Sequence, residues 1–240
     1  MFYTVNTKVL LIIPCFNEEK RIHIEEFKKA NSNIDFLFAN DGSSDGTAKL
    51  IKNIVDDKRF YLFNSKINHG KANIIHLAFE HASKYLKLDE YDWIGFWDAD
   101  LATPLFEVEN MLKFIHESKY KSVWGSRVSR LGSKIRRSTL RHYLGRIFAT
   151  IVSYVLDVKT YDSQCGAKLF NAEYAQIAFS SRFQTNWVFD IEILLKLDSN
   201  FICEYPLTAW DDIGDNKVNI KKDFIKVLKD IYTLWKNNRQ

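Results

Sequence analysis

Two carboxylates separated by one residue, Asp98 and Asp100, end an apolar run that begins at Trp93. In an extended chain alternate side chains point the same way, so both project from one side of a strand's end. Carboxylates this close repel each other, and a divalent cation with a preference for oxygen, Mg²⁺ or Mn²⁺, removes that repulsion. A solvated polar turn is the alternative reading of the same residues. Three other polar clusters follow apolar runs: Pro14-Cys15-Phe16-Asn17-Glu18-Glu19, Asp41-Gly42-Ser43-Ser44-Asp45-Gly46-Thr47 and Asn68-His69-Gly70-Lys71. Each carries carboxylates, amides, hydroxyls or a cation able to bind a polar ligand.

The elements that must position these clusters read as repeated strand–loop–helix units. Lys8–Ile13 is a continuous, β-branched run of the kind covered on both faces, and it ends at Pro14. Ile34–Asn40, Phe60–Phe63 and Trp93–Trp97 read as further strands. Helices are expected to about Ala30, through about Val55, and after Asn68 with an apolar face of Ile74, Ile75, Leu77 and Ala78. This alternation predicts an α/β fold with a doubly wound, mostly parallel sheet flanked by helices. Ligands of such sheets sit outside the carboxyl ends of the strands, where every one of the polar clusters falls. The pattern loosens beyond Pro104. Val108–His116 reads as a helix, Ser122–Arg127 as a short strand, Phe201–Tyr205 as a late strand and Phe224–Trp235 as an amphipathic helix; another helix is expected from about Asp190.

The composition bounds the function classes. At 240 residues, 46% hydrophobic and 27% charged, the chain suits one globular domain. A net charge of +4 is too small to argue for nucleic acid. Three widely spaced cysteines form neither a disulfide framework nor a zinc pattern, which suits a reducing cytosol. No uncharged run approaches the roughly 20 residues of a membrane span, and no signal peptide is expected. The charge is unevenly spread: seven Lys or Arg residues and no acid lie between Arg127 and Arg146. Leu140, Leu144, Ile147, Phe148, Ile151 and Val155 then follow helical spacing as one apolar stripe. Such a pairing suits either a helix in the membrane interface or an ordinary core-facing helix.

Taken together and in this order, the four clusters resemble the family 2 glycosyltransferases, inverting enzymes of the GT-A fold that use nucleotide-sugar donors. Gly125-Ser126-Arg127, Tyr161–Phe170 and Trp187–Glu192 narrow the resemblance to the dolichyl-phosphate β-glucosyltransferase and polyprenyl-phosphate glycosyltransferase branch. The motifs extend from about Val9 to Val218, so one catalytic domain is expected over 1–240, with a nucleotide-sugar half to about 104 and an acceptor half from about 105. Ala102 stands where mannosyltransferase-type members often carry Gln, which leans towards glucose. Ala72 replaces a frequent Gly.

The resemblance implies a hexosyltransferase moving glucose from UDP-glucose onto a polyprenyl or dolichyl phosphate, peripheral on the cytoplasmic face of the membrane. It implies donor contacts from Pro14, Asn17, Glu19, Asp41, Lys71, Asp98 and Lys217, with Asp41 on the base, Glu19 on the ribose and Lys217 in a closing loop. Asp100 would hold the cation, with Asp98 on the ribose or on the same cation. Glu19 could instead be a first-turn helix acid, Asp41 a turn former, and Lys71 and Lys217 solvated lysines. Asp162 is either a base for a sugar hydroxyl or an orienting group, because a phosphate monoester is largely dianionic near neutral pH. Arg127 and Arg141 are the candidates for an acceptor phosphate. Gln164 and Trp187 would line the sugar pocket or simply pack, and Cys165 reads as a buried small residue. The rival readings are a family 2 enzyme with a saccharide acceptor in surface polysaccharide synthesis and an inactive nucleotide-sugar binding protein. A nucleotide-cofactor oxidoreductase is disfavoured, because no Gly-x-Gly-x-x-Gly follows the first strand.

Overall fold

The sheet is built outward from β1 (Val9–Cys15), whose first five residues are completely buried. Its side chains alternate between two cores. Leu10 and Ile12 pack on one face of the sheet, whereas Val9, Leu11 and Ile13 pack on the other. This two-sided burial is what the uninterrupted apolar run requires. The computed structural model describes residues 7–55, 58–212 and 220–237.

β2 (Ile34–Asp41) and β4 (Trp93–Trp97) flank β1 in parallel, and β3 (Phe60–Ser65) extends the sheet beyond β2. On the far side come β7 (Ala167–Asn171), β5 (Ser122–Ser126) and β8 (Ile202–Pro206), giving the seven-stranded order β3-β2-β1-β4-β7-β5-β8. Only β7 runs against its neighbours, antiparallel to both β4 and β5. A second, two-stranded sheet pairs β6 (Lys134–Arg136) with β9 (Ala209–Asp211) in parallel.

Helices cover both faces. α1 (Ile24–Lys29), α2 (Thr47–Lys52) and α4 (Phe106–Ile115) contribute Phe27, Ile51 and Met111 to the core on one side. α3 (Lys71–Tyr85), α6 (Ala172–Phe179) and α7 (Phe189–Lys196) contribute Ile74, Phe179 and Ile191 to the other. α5 (Thr139–Leu156) and α8 (Ile220–Asn237) join that second core through Val152 and Ile231.

Three expectations are revised. The first helix is shorter than the Glu- and Lys-rich stretch suggests, because residues 18–22 close a turn in which the N–H groups of Arg21 and Ile22 donate to the Glu18 carbonyl. β1 runs on through Pro14, which faces Ala39 of β2; proline removes a donor but keeps the backbone extended. The apolar stripe of α5 divides. Phe148, Ile151 and Val155 pack on the core, as in an ordinary core-facing helix, while Ile147 is 55% exposed. Together with Tyr143 and Tyr154, Ile147 forms a separate outward face of that helix. No described helix is long and apolar enough to cross a membrane.

Candidate active site

Because β1, β2, β4 and β5 share one direction, Cys15, Asp41, Trp97 and Ser126 all end at the same sheet edge. β7 points the other way, and its first residue, Ala167, lies opposite Trp97. The loop that precedes β7, 162–166, therefore meets the loop that follows β4. Residues distant in sequence share one cleft for this reason.

On the β1–β2 side the loops are stitched by side chains. Asn17, held at φ 54°, accepts from the Ser44 amide at 2.8 Å. The Glu19 carboxylate accepts from the Gly46 amide at 2.9 Å. α1 starts only at Ile24, so Glu19 is not one of its first-turn acids. The buried Asp41 carboxylate receives the amides of His69 at 2.7 Å and Gly70 at 2.9 Å, fixing the loop that opens α3. Gly42 turns the chain at φ 67°, and a Cβ there would lie 2.6 Å from the Ile67 carbonyl carbon.

At the centre, Lys71 is exposed but paired: its ammonium lies 2.5 Å from Asp98 Oδ1. The Asp98 amide donates to Gly166 O at 3.0 Å. A Cβ on residue 166 would sit 1.8 Å from Asp98 Oδ2, so only glycine leaves room for this carboxylate. Asp100 accepts from the Ala102 amide at 3.1 Å, across a Leu101 held at φ 53°, a conformation bulky residues rarely adopt. Burial, and next the charge of Asp98, push the Asp100 carboxyl above its ordinary range. Arg21, which also pairs with Glu18, approaches Asp100 at 3.8 Å.

On the β5 side, Arg127 and Asp162 were expected in separate roles and instead grip one another. Nε and Nη2 of Arg127 each donate to a different Asp162 oxygen at 2.7 Å, and the Arg127 amide adds a bond of 3.0 Å. Burial alone would raise the Asp162 carboxyl, but the charge and hydrogen bonds of Arg127 outweigh it and hold it at about 2. A carboxylate held that low accepts a proton poorly near neutral pH. Glu204 of β8 fixes the adjoining backbone by accepting from the amides of Tyr161 at 2.8 Å and Asp162 at 2.7 Å.

A cavity beside this pair is lined by Arg127, Arg137, Arg146, Tyr161, Asp162 and Ser163. The Arg146 guanidinium lies 3.8 Å over the Tyr161 ring and donates to its carbonyl at 3.1 Å. The Ser163 hydroxyl is buried with no hydrogen-bond partner among the described residues. Three guanidiniums against one carboxylate make this cavity attractive to an anion.

The remaining expected residues divide. Gln164 lines the same cavity and donates to the Trp187 carbonyl at 3.0 Å, while Trp187 is partly buried and packs against the core. Burial pushes the Cys165 thiol up to about 11, which suits a packed small residue rather than a nucleophile. Lys217 lies outside the described residues, as does the side chain of Arg141. Arg21, Arg137, Arg146, Lys168, Asp190 and Glu204 escape the sequence reading. Lys168 had a signal, since it interrupts the apolar run from Ala167 to Phe170.

The sequence profile described as glycosyl transferase family 2 matches residues 10–177. The chain belongs to that family. Among its family 2 relatives is a dolichyl-phosphate β-glucosyltransferase of Trichomonas vaginalis, 31% identical over 230 residues. The match covers 87% of this chain and 65% of that relative, so the chain spans a little under two thirds of its length. The Saccharomyces cerevisiae dolichyl-phosphate β-glucosyltransferase is 27% identical over 92% of this chain and 72% of its own. A solved structure of glucosyl-3-phosphoglycerate synthase from Mycobacterium tuberculosis, in complex with Mn²⁺, UDP-glucose and phosphoglyceric acid, superimposes with a TM-score of 0.68. It is 16% identical and covers 97% of this chain and 80% of that one, a likeness that speaks to the fold. The architecture is GT-A.

Proposed function

We propose that this family 2 member is a hexosyltransferase that moves glucose from UDP-glucose, with inversion, onto a polyprenyl or dolichyl phosphate. The observation that carries the acceptor class is the Asp162–Arg127 pair. An acceptor hydroxyl needs a base, and a carboxylate held at about 2 by a two-pronged guanidinium is a poor one. A phosphate monoester has a second pKa of about 6 and needs none. Arg137 and Arg146, beside the buried Ser163 hydroxyl, supply the cationic setting such an acceptor requires. Arg127 then acts through Asp162 as an orienting pair, and Arg141 remains a candidate phosphate ligand.

In this reading an acceptor phosphate oxygen attacks the anomeric carbon from the face opposite UDP. The new C–O bond forms as the bond to the diphosphate breaks, and UDP leaves with the electron pair. The nucleotide lies over the loops that Asn17, Glu19 and Asp41 organise beyond Pro14. Lys71 stands where it can pass from Asp98 to a phosphate oxygen, and Lys217 is assigned to the closing loop by resemblance alone.

The centre fits a divalent cation. Asp98 and Asp100 are hard oxygen donors, burial and next the charge of Asp98 raise the Asp100 carboxyl, and Gly166 leaves the space the Asp98 carboxylate occupies. No group of three or more His, Cys, Asp or Glu is gathered among the described residues, and Asp98 pairs with Lys71, so Asp98 and Asp100 are the residues that would hold the ion. Bound there, Mg²⁺ or Mn²⁺ would neutralise charge developing on the departing diphosphate.

Transfer from radiolabelled UDP-glucose should yield a lipid-linked, acid-labile glucose product, and only with undecaprenyl or dolichyl phosphate present. Transfer to a saccharide hydroxyl, abolished by Asp162→Asn, would replace this reading with the saccharide-acceptor one.

A further inference from the structure

One fully buried charge takes no part in the chemistry above. Lys168 is the second residue of β7, and its side chain is 0% exposed. An ammonium carries three N–H donors, each of which needs an acceptor in an interior without water. Nζ gives them to Ser163 O at 2.7 Å, Cys165 O at 2.6 Å and Asp190 Oδ1 at 2.6 Å. The rings of Trp124 and Phe96 close around it at 4.7 and 5.2 Å. Burying an ammonium carries a desolvation cost that an apolar residue at this position would avoid. The pairing of β7 with β4 and β5 uses backbone groups and asks for no charge there.

Two of the three acceptors are carbonyls of one loop, 162–166, and that loop joins the two sides of the cleft. Its upstream end is Asp162, locked to Arg127. Its downstream end is Gly166, whose carbonyl accepts the Asp98 amide and whose missing side chain makes room for the Asp98 carboxylate. The third acceptor, Asp190, stands in the first turn of α7 and anchors the ammonium from the far side.

We propose that Lys168, with Asp190 as its counter-ion, is a positioning residue that sets the path of loop 162–166 and so the alignment of the Asp162–Arg127 pair against Asp98. The inference rests on the glycosyl-transfer reading. Lys168 is fully buried and acts on the cleft through the loop, whereas Asp190 also lies within electrostatic reach of Lys71 and Asp98, so Lys168→Met is the variant that reads the loop alone. The nucleotide loops after β1 and β2 do not depend on this tether. Its loss should therefore slow turnover and spare UDP affinity.

The test uses the full chain with Lys168→Met, Asp190→Asn and the double variant K168M/D190L, which removes both charges and avoids stranding either one. Amide hydrogen exchange over 162–166, UDP titration, thermal midpoint and steady-state kinetics with UDP-glucose and undecaprenyl phosphate are measured for each. The double variant should keep its thermal midpoint within a few degrees and bind UDP as wild type does. Its loop amides should exchange faster, and kcat should fall roughly 100-fold with donor KM little changed, the scale expected of a misplacement near 1 Å. Asp190→Asn, whose amide oxygen can still accept, should keep most of the activity. Wild-type kcat in a stable double variant would make Lys168 a folding residue only and overturn the proposal. Should the double variant not fold, an Asp190→Asn enzyme with loop exchange and kcat as impaired as those of Lys168→Met would overturn it instead. If the wild-type chain transfers to no acceptor, the functional reading fails, yet unchanged loop exchange in Lys168→Met would separately refute the tether.

Discussion

At the scale of single residues, the site is governed by what each carboxylate is bonded to. Asp98 faces an ammonium, Asp41 two backbone amides, and Asp162 a guanidinium. The last has a measurable consequence in pH. Because the folded-state pKa of Asp162, about 2, lies below the ordinary carboxyl value of 3.8, its pairing stabilises the fold above that ordinary value. This stability, on the order of 2 kcal/mol for a shift of this size, is lost as pH falls from about 4 through 2. Asp162 should therefore contribute no limb to the pH–rate profile between 4 and 8. An acid limb near pH 6 is expected from the acceptor phosphate itself, and it should persist in Asp162→Asn even though the rate is lower. Profiles of kcat/KM for the two proteins check this, and loss of the limb in the variant would return Asp162 to the role of base.

At the scale of elements, the cleft depends on the meeting of the β4 end with the start of β7. Gly166→Ala tests that junction, because the added methyl would overlap Asp98 Oδ2. The variant should lose at least tenfold in metal-dependent transfer, with its thermal midpoint changed by only a few degrees. Kinetics across a Mn²⁺ titration and a melting curve measure the two effects. The strands that form this junction were unequally legible. β1, β2, β3 and β4 are strongly apolar, and each is followed by a polar cluster, so pattern alone finds them. β6 and β9, three residues each, sit in polar or basic surroundings and take their conformation from each other. The direction of β7 is invisible to periodicity, because a strand reads alike in both senses. The site follows the same division. Asp98, Asp100 and Asp162 lie in motifs the sequence singles out, whereas Arg21 and Glu204 act through contacts between distant segments, which no local pattern records.

At the scale of the whole molecule, the modest net charge conceals a sided one. The acid-free basic stretch runs into α5, whose outward face carries Tyr143, Tyr154 at 91% exposure and Ile147. Leu131, in the same stretch, is also fully exposed. Cations beside aromatic and aliphatic side chains suit the headgroup region of an anionic bilayer. Co-sedimentation with vesicles containing phosphatidylglycerol is expected at low salt, to weaken several-fold between 0.05 and 0.5 M NaCl, and to weaken again in Ile147→Glu. Binding that ignores both salt and this substitution would assign the face to another purpose.

The antiparallel seat of β7 also dictates an order of assembly. As the chain emerges from its N-terminus, β1, β2, β3 and β4 can pair with strands already made, since each lies beside an earlier neighbour or one soon to follow. β5 cannot. Its partners in the finished sheet are β7 and β8, both later in the chain. Until β7 arrives, Val123 and Trp124 belong to an apolar strand with no ladder to join, the kind of unpaired edge that invites aggregation. The nascent protein is thus exposed for as long as it takes to make residues 127–171. The basic stretch, seven Lys or Arg residues and no acid, falls within this interval.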